Sequence, residues 1–79
     1  MVNLKENIKN PKELEFVIFC IENIAEKLGV DAEKIYDAFM QKDILNGYIV
    51  PEYEILHTQS KEYIIEEILE VMKERGVKI

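Results

Sequence analysis

N-P-K-E-L-E-F-V-I-F-C-I-E-N-I-A-E-K-L-G-V-D, residues 10 to 31, decides the fold of this chain, because it spells a helix from start to stop. Asn10 is a residue type whose side chain accepts from the first unpaired N–H groups of a helix, and Pro11 stands at the first helical position, where its missing N–H costs nothing. Leu14, Val17, Ile18, Ile21, Ile24, Ala25 and Leu28 recur at the three-and-four spacing of one buried stripe. Gly29 supplies a left-handed stop. The spacing therefore predicts a helix over residues 11–28. Phe16, Phe19 and Cys20 fall off that stripe, beside Asn23, and form a second apolar patch that needs cover.

The pattern continues outward. Asp31 is placed to cap a second helix over residues 32–41, with Val30 in the hydrophobic-staple relation to Ile35. Ala32, Ile35, Tyr36, Phe39 and Met40 share one face, and Glu33, Lys34, Asp37 and Gln41 the other. A connection this short predicts an antiparallel or angled pair. A third helix over residues 60–75 starts at a Thr58 or Ser60 cap and stops at Gly76, with Val77 placed to touch back onto its last turn. Ile64, Ile65, Ile68, Leu69, Val71 and Met72 form its apolar face; Glu62, Glu66, Glu67, Glu70 and Glu74 lie opposite, with Tyr63 among them. The fold class that follows is all-α: one domain over residues 1–79, a three-helix core, an irregular connecting segment and a short additional helical turn. Residues 1–10 carry too little pattern to assign an element.

The connecting segment breaks the period. Residues 48–63 hold the only His and three of the four Tyr. Asn46-Gly47 reads as a turn, Tyr48-Ile49-Val50 as a short extended run, and Pro51 biases Val50 away from the helical region. One or two helical turns fit residues 51–56. This segment, with Ile49, Val50, Tyr53, Ile55 and Leu56, is expected to wrap over Phe16, Phe19 and Tyr63 within one chain; the alternative is that these aromatics form a dimer or hetero-partner surface.

Composition bounds the function. At 79 residues the chain is near the small end of what folds alone, so a protein partner or homodimer would help. Hydrophobic content of 48% with 33% charged residues is globular, and no apolar run reaches a membrane span. No leader pattern is visible at the N-terminus and Cys20 has no internal disulfide partner, so a cytoplasmic location is expected. Ten basic against 16 acidic residues give a net charge of -6, which repels phosphate backbones and disfavours nucleic acid. The same acidity also serves solubility.

The candidate chemistry is sparse. His57 with Thr58 or Ser60 offers the residue types of nucleophilic catalysis, but neighbouring residues rarely reach the required geometry, and hydroxyls before a helix serve as caps. A buried or half-buried His57 hydrogen-bonded to a carbonyl, orienting the loop before the third helix, is the expectation. One His and one Cys cannot fill a zinc site, and no glycine loop is built for phosphate; no metal, cofactor or small-molecule ligand is expected. Glu62, Glu66 and Glu70 repeat every four residues, which reads first as a solvated face and otherwise as a like-charge spacing that a basic partner or a cation would relieve. The partner-binding candidates are Tyr53, His57, Gln59, Tyr63, Glu66 and Glu70.

Tyr53-Glu54-Ile55-Leu56-His57-Thr58-Gln59, with Tyr63-Ile64 after it and Glu15-Phe16-Val17-Ile18-Phe19-Cys20-Ile21-Glu22 before it, resembles a family of short bacterial proteins of uncharacterised function with a Tyr-x-x-Leu-His-Thr-Gln motif. The resemblance covers nearly the whole chain. It implies a link to toxin-like ADP-ribosyltransferase loci and hence an antitoxin-like accessory role, and it implies no activity. The reading is a non-enzymatic protein-interaction module. The alternatives are a DNA-binding helix-turn-helix regulator, which the Gly29-Val30-Asp31 turn permits, and a small enzyme using His57 as general base.

Overall fold

A computed structural model describes residues 10–78. The segment before Asn10 lies outside the described residues. The architecture is all-α, with the order α1 (Pro11–Leu28), α2 (Ala32–Gln41), a π-helical turn (Leu45–Ile49), α3 (Tyr53–Leu56) and α4 (Lys61–Glu74).

The helix boundaries follow from local chemistry. The Asn10 side chain accepts from the N–H groups of Lys12 and Glu13 at 2.9 and 3.4 Å. At the other end Gly29 sits at φ 69°, its N–H bonded to the Glu26 carbonyl while the Val30 N–H reaches Ala25 at 3.0 Å. That pair of bonds is a Schellman stop, and α4 ends the same way, with Gly76 bonded to Lys73 and Val77 to Met72. Asp31 stands at the cap position of α2 as the sequence predicts, but its side chain makes no capping bond; only its carbonyl engages, accepting from Lys34 at 3.0 Å.

Helix α1 is the hub. It packs against both α2 and α4, so its buried arc is wider than one stripe and also shifted. Phe16, Val17, Cys20, Ile21, Ile24 and Ala25 are buried, whereas Ile18 and Leu28 remain 39% and 41% exposed. The expected second patch is thus core: Phe16 and Cys20 belong to the buried face because neighbours close on α1 from more than one side.

The connector departs most from expectation. Its residues 48–50 are not extended; Leu45–Ile49 is a π turn closed by the Val50 N–H on the Leu45 carbonyl at 3.0 Å, and Val50 is helical at φ -66°, ψ -49°. Burial decides this. Ile44, Leu45 and Ile49 are all fully buried, worth about 5 to 9 kcal/mol together, while β preference spans only about 1 kcal/mol. The backbone bias imposed by Pro51 is overridden as well. Pro51 donates no bond, and the ladder resumes beyond it with the Glu52 N–H on Tyr48 at 3.0 Å.

The far end of the molecule is tied across sequence. Arg75, the residue ending α4, donates through Nη1 to the carbonyls of Lys42 and Asp43 at 3.0 and 2.7 Å. Those carbonyls lie just past α2, where Asp43 takes the left-handed φ of 54°.

Candidate functional site

The run from Tyr53 to Gln59 divides its duties by the geometry of one helical turn. Leu56 points into the core and Ile55, one residue earlier, is 62% exposed. Tyr53 and His57, four apart, fall on one side of α3 and stack, with ring centroids 4.5 Å apart and planes 14° from parallel. Phe16 meets Tyr53 edge-on at 5.4 Å and 72°, and Phe19 lies 6.2 Å from Phe16. Four rings therefore form a ladder that starts on α1 and ends at an exposed imidazole. The expected wrapping of this segment over Phe16 is realised through Tyr53. His57, by contrast, is neither half-buried nor a carbonyl clasp: the flat ring of Tyr53 offers it a stacking surface at the rim.

The hydroxyls of the run are engaged locally. Thr58 Oγ1 donates to the Ile55 carbonyl at 2.8 Å and so closes α3. Ser60 Oγ accepts from the Tyr63 N–H at 3.2 Å and opens α4. Gln59 is exposed between them, its backbone N–H on Leu56 at 3.0 Å.

On α4, Tyr63, Glu66, Glu67 and Glu70 follow three-and-four spacing along the outer side. Tyr63 is 45% exposed. A hydrogen bond with the Glu67 carboxylate, then its negative charge, raises the Tyr63 phenol above its ordinary pKa. Tyr48 joins the two halves of the surface. Partial burial pushes its phenol up first, followed by the charges of Glu67 and Glu52, with Tyr63 also acting on it. Glu66 faces the other way too, toward a groove of about 290 Å³ bounded by Asn23, Glu26 and Lys27 of α1. Glu70 is exposed on the outer side.

The fold thus brings Tyr53 and His57 into contact and sets Tyr63, Glu66 and Glu70 on one helix side. Ile55, Glu67 and Tyr48 belong with them and were absent from the predicted set. The signal for Ile55 was its place beside Leu56, since a four-residue helix cannot turn both inward. Among the described residues no group of three His, Cys, Asp or Glu side chains could hold a metal ion, and no helix is long and apolar enough to cross a membrane.

Compared with known proteins, residues 15–75 match the profile of a family described as "Protein of unknown function (DUF3791)". No curated protein and no solved structure matches the chain.

Proposed function

The chain belongs to that family of unknown function, and we propose that it is a non-enzymatic protein-interaction module whose docking face comprises Tyr53, His57, Gln59 and Tyr63 with Glu66 and Glu70. The observation that carries this reading is the exposure of Ile55 beside the Tyr53–His57 stack, together with that of Tyr63 on α4. Aromatic and apolar area rimmed by polar groups has the composition of an interface centre, where Tyr supplies large contact area at small entropic cost. The rim names the partner's chemistry. Glu52, Glu54, Glu66, Glu67 and Glu70 favour a basic protein segment. A second copy suits the face less well, because a two-fold contact would set the same carboxylates against each other. An antitoxin-like accessory is the form of this role that the sequence resemblance implies, and the basic character of its partner is read from the carboxylates.

The non-enzymatic part of the proposal rests on the hydroxyls beside His57, both engaged in helix ends. Binding to duplex DNA through α2 is disfavoured by Glu33 and Asp37 flanking Lys34. The test is partner capture from the native host by the wild-type chain and by the His57→Ala, Tyr63→Ala double variant, with mass in solution recorded. Capture should be lost while thermal stability stays within about 1 kcal/mol. Undiminished capture would sink the proposal, and a collapse of stability would assign these residues a structural role instead.

A further inference from the structure

The groove between α2 and the chain beyond α4 shares no residue with the docking face. It is an open depression of about 460 Å³, within the roughly 300–1,000 Å³ typical of ligand clefts. Its apolar lining is Val30, Ala38 and Val77, and its charges are Lys34, Lys42 and Lys78 against the single carboxylate of Asp37. In a chain of net charge -6 with ten basic residues, three of them line this one groove. The sequence explains the placement: Lys34, Ala38 and Gln41 recur at three-and-four spacing on α2, opposite the buried Ile35, Tyr36 and Phe39.

The groove is also built before anything enters it. The Schellman stop at Gly76 turns Val77 back toward Met72, and the Arg75 guanidinium ties the end of α4 to the carbonyls of Lys42 and Asp43. Both walls are held by bonds that a ligand need not form, which lowers the entropy cost of binding.

We infer that this groove is a second docking site, taking a short acidic peptide segment with an apolar side chain at its centre. Carboxylates of the segment meet Lys34, Lys42 and Lys78, its apolar side chain covers Val30, Ala38 and Val77, and Gln41 and Asp37 offer acceptors to its backbone N–H groups. Asp37 among the lysines opposes the dense, continuous charge of a polyphosphate backbone more than the spaced carboxylates of a short peptide.

The probe is a fluorescein-labelled, C-amidated hexapeptide of order Ser-Glu-Leu-Asp-Glu-Gly, with Ser-Gln-Leu-Asn-Gln-Gly as its uncharged counterpart. Binding is read by anisotropy and by backbone amide shifts. The acidic peptide should shift Lys34, Lys42, Val77 and Lys78, and replacing all three lysines by Glu should weaken it at least about tenfold. A Lys-to-Gln triple variant serves if the Glu variant does not fold, with a loss of about threefold or more expected. The His57→Ala, Tyr63→Ala variant should bind the peptide unchanged, so failure of the docking face and failure of this groove are separable. Equal binding of the uncharged peptide, tighter binding of a single-stranded DNA oligomer, or indifference to the lysine changes would each overturn the inference.

Discussion

The Asp43 carboxylate occupies the space in which a Cβ on Gly47 would stand, with Oδ2 at 2.5 Å and Cγ at 2.9 Å from that position. The space at Gly47 is therefore limited by a neighbouring side chain and not by its own backbone, whose φ is not positive. Asp43 in turn holds a left-handed φ of 54°, a region that Gly occupies at no cost.

This relation predicts a non-additive pair. Gly47→Ala alone should be near neutral, because the helical gain of about 0.5 to 1 kcal/mol is offset by displacing Asp43. In an Asp43→Gly background the same change should stabilise, giving a coupling of about 0.5 to 1 kcal/mol in a double-mutant cycle. Denaturant unfolding of the four proteins measures it, and strict additivity would contradict the packing described.

Arg75→Ala removes both bonds to the carbonyls beyond α2. Arg75 is solvent-exposed, so the loss should be modest, about 1 kcal/mol. Arg75→Lys should recover part of it, because a single nitrogen serves both carbonyls and the planar fork is not used. Amide exchange supplies a second reading: the Gly47 N–H, bonded to Asp43 at 3.2 Å, should exchange faster in the Ala variant.

Tyr36 is 3% exposed, and its hydroxyl has no hydrogen-bond partner among the described residues. A buried unpaired hydroxyl costs about 1 to 3 kcal/mol. Tyr36→Phe should consequently raise the thermal midpoint, by a stability gain on the order of 1 kcal/mol. A loss of similar size would mean that the hydroxyl is bonded.

Burial pushes the Cys20 thiol from 9.0 up to about 12. Because the folded pKa is raised, the unfolded chain releases its proton first as pH rises, and stability must fall over the window from about pH 9 to about pH 12. The slope from this group is on the order of 1 kcal/mol per pH unit, and the raised phenols of Tyr48 and Tyr63 act in the same direction. Cys20→Ala should flatten the alkaline limb while costing about 1 kcal/mol at neutral pH. Alkylation at pH 8 should modify the thiol only on unfolding.

Of the three long helices, α1 and α4 were legible in the sequence because they announce their ends through local chemistry, and α2 through the spacing of its apolar residues. Asn10, Gly29, Ser60 and Gly76 act where they stand, independent of anything distant. What the sequence concealed depends on tertiary contact. The wheel of α1 could not tell how many neighbours would close on it, so Phe16 and Cys20 read as an outer patch. Asn46-Gly47 and Pro51 carry strong local signals for a turn and an extended run, yet the burial of Ile44, Leu45 and Ile49 outweighs them. For the docking face, Tyr53 and His57 were found by residue type. Their stacking followed only once residues 53–56 proved helical, and the link through Tyr48 to Glu67 spans two elements that no local pattern connects.

Seen along the chain, the π turn acts as a phase setter. Its bond from Val50 to Leu45 spans five residues where an α-helix spans four, so the turn holds one residue more than regular winding needs. Each residue of an α-helix advances its side chain by about 100°. Rewinding the same residues as regular α-helix would therefore swing everything after the turn by about that angle. Tyr53 would leave the edge of Phe16, Leu56 would lose its berth, and Ile55 would rotate toward the core. A segment of irregular winding thereby fixes which side chains of α3 meet solvent.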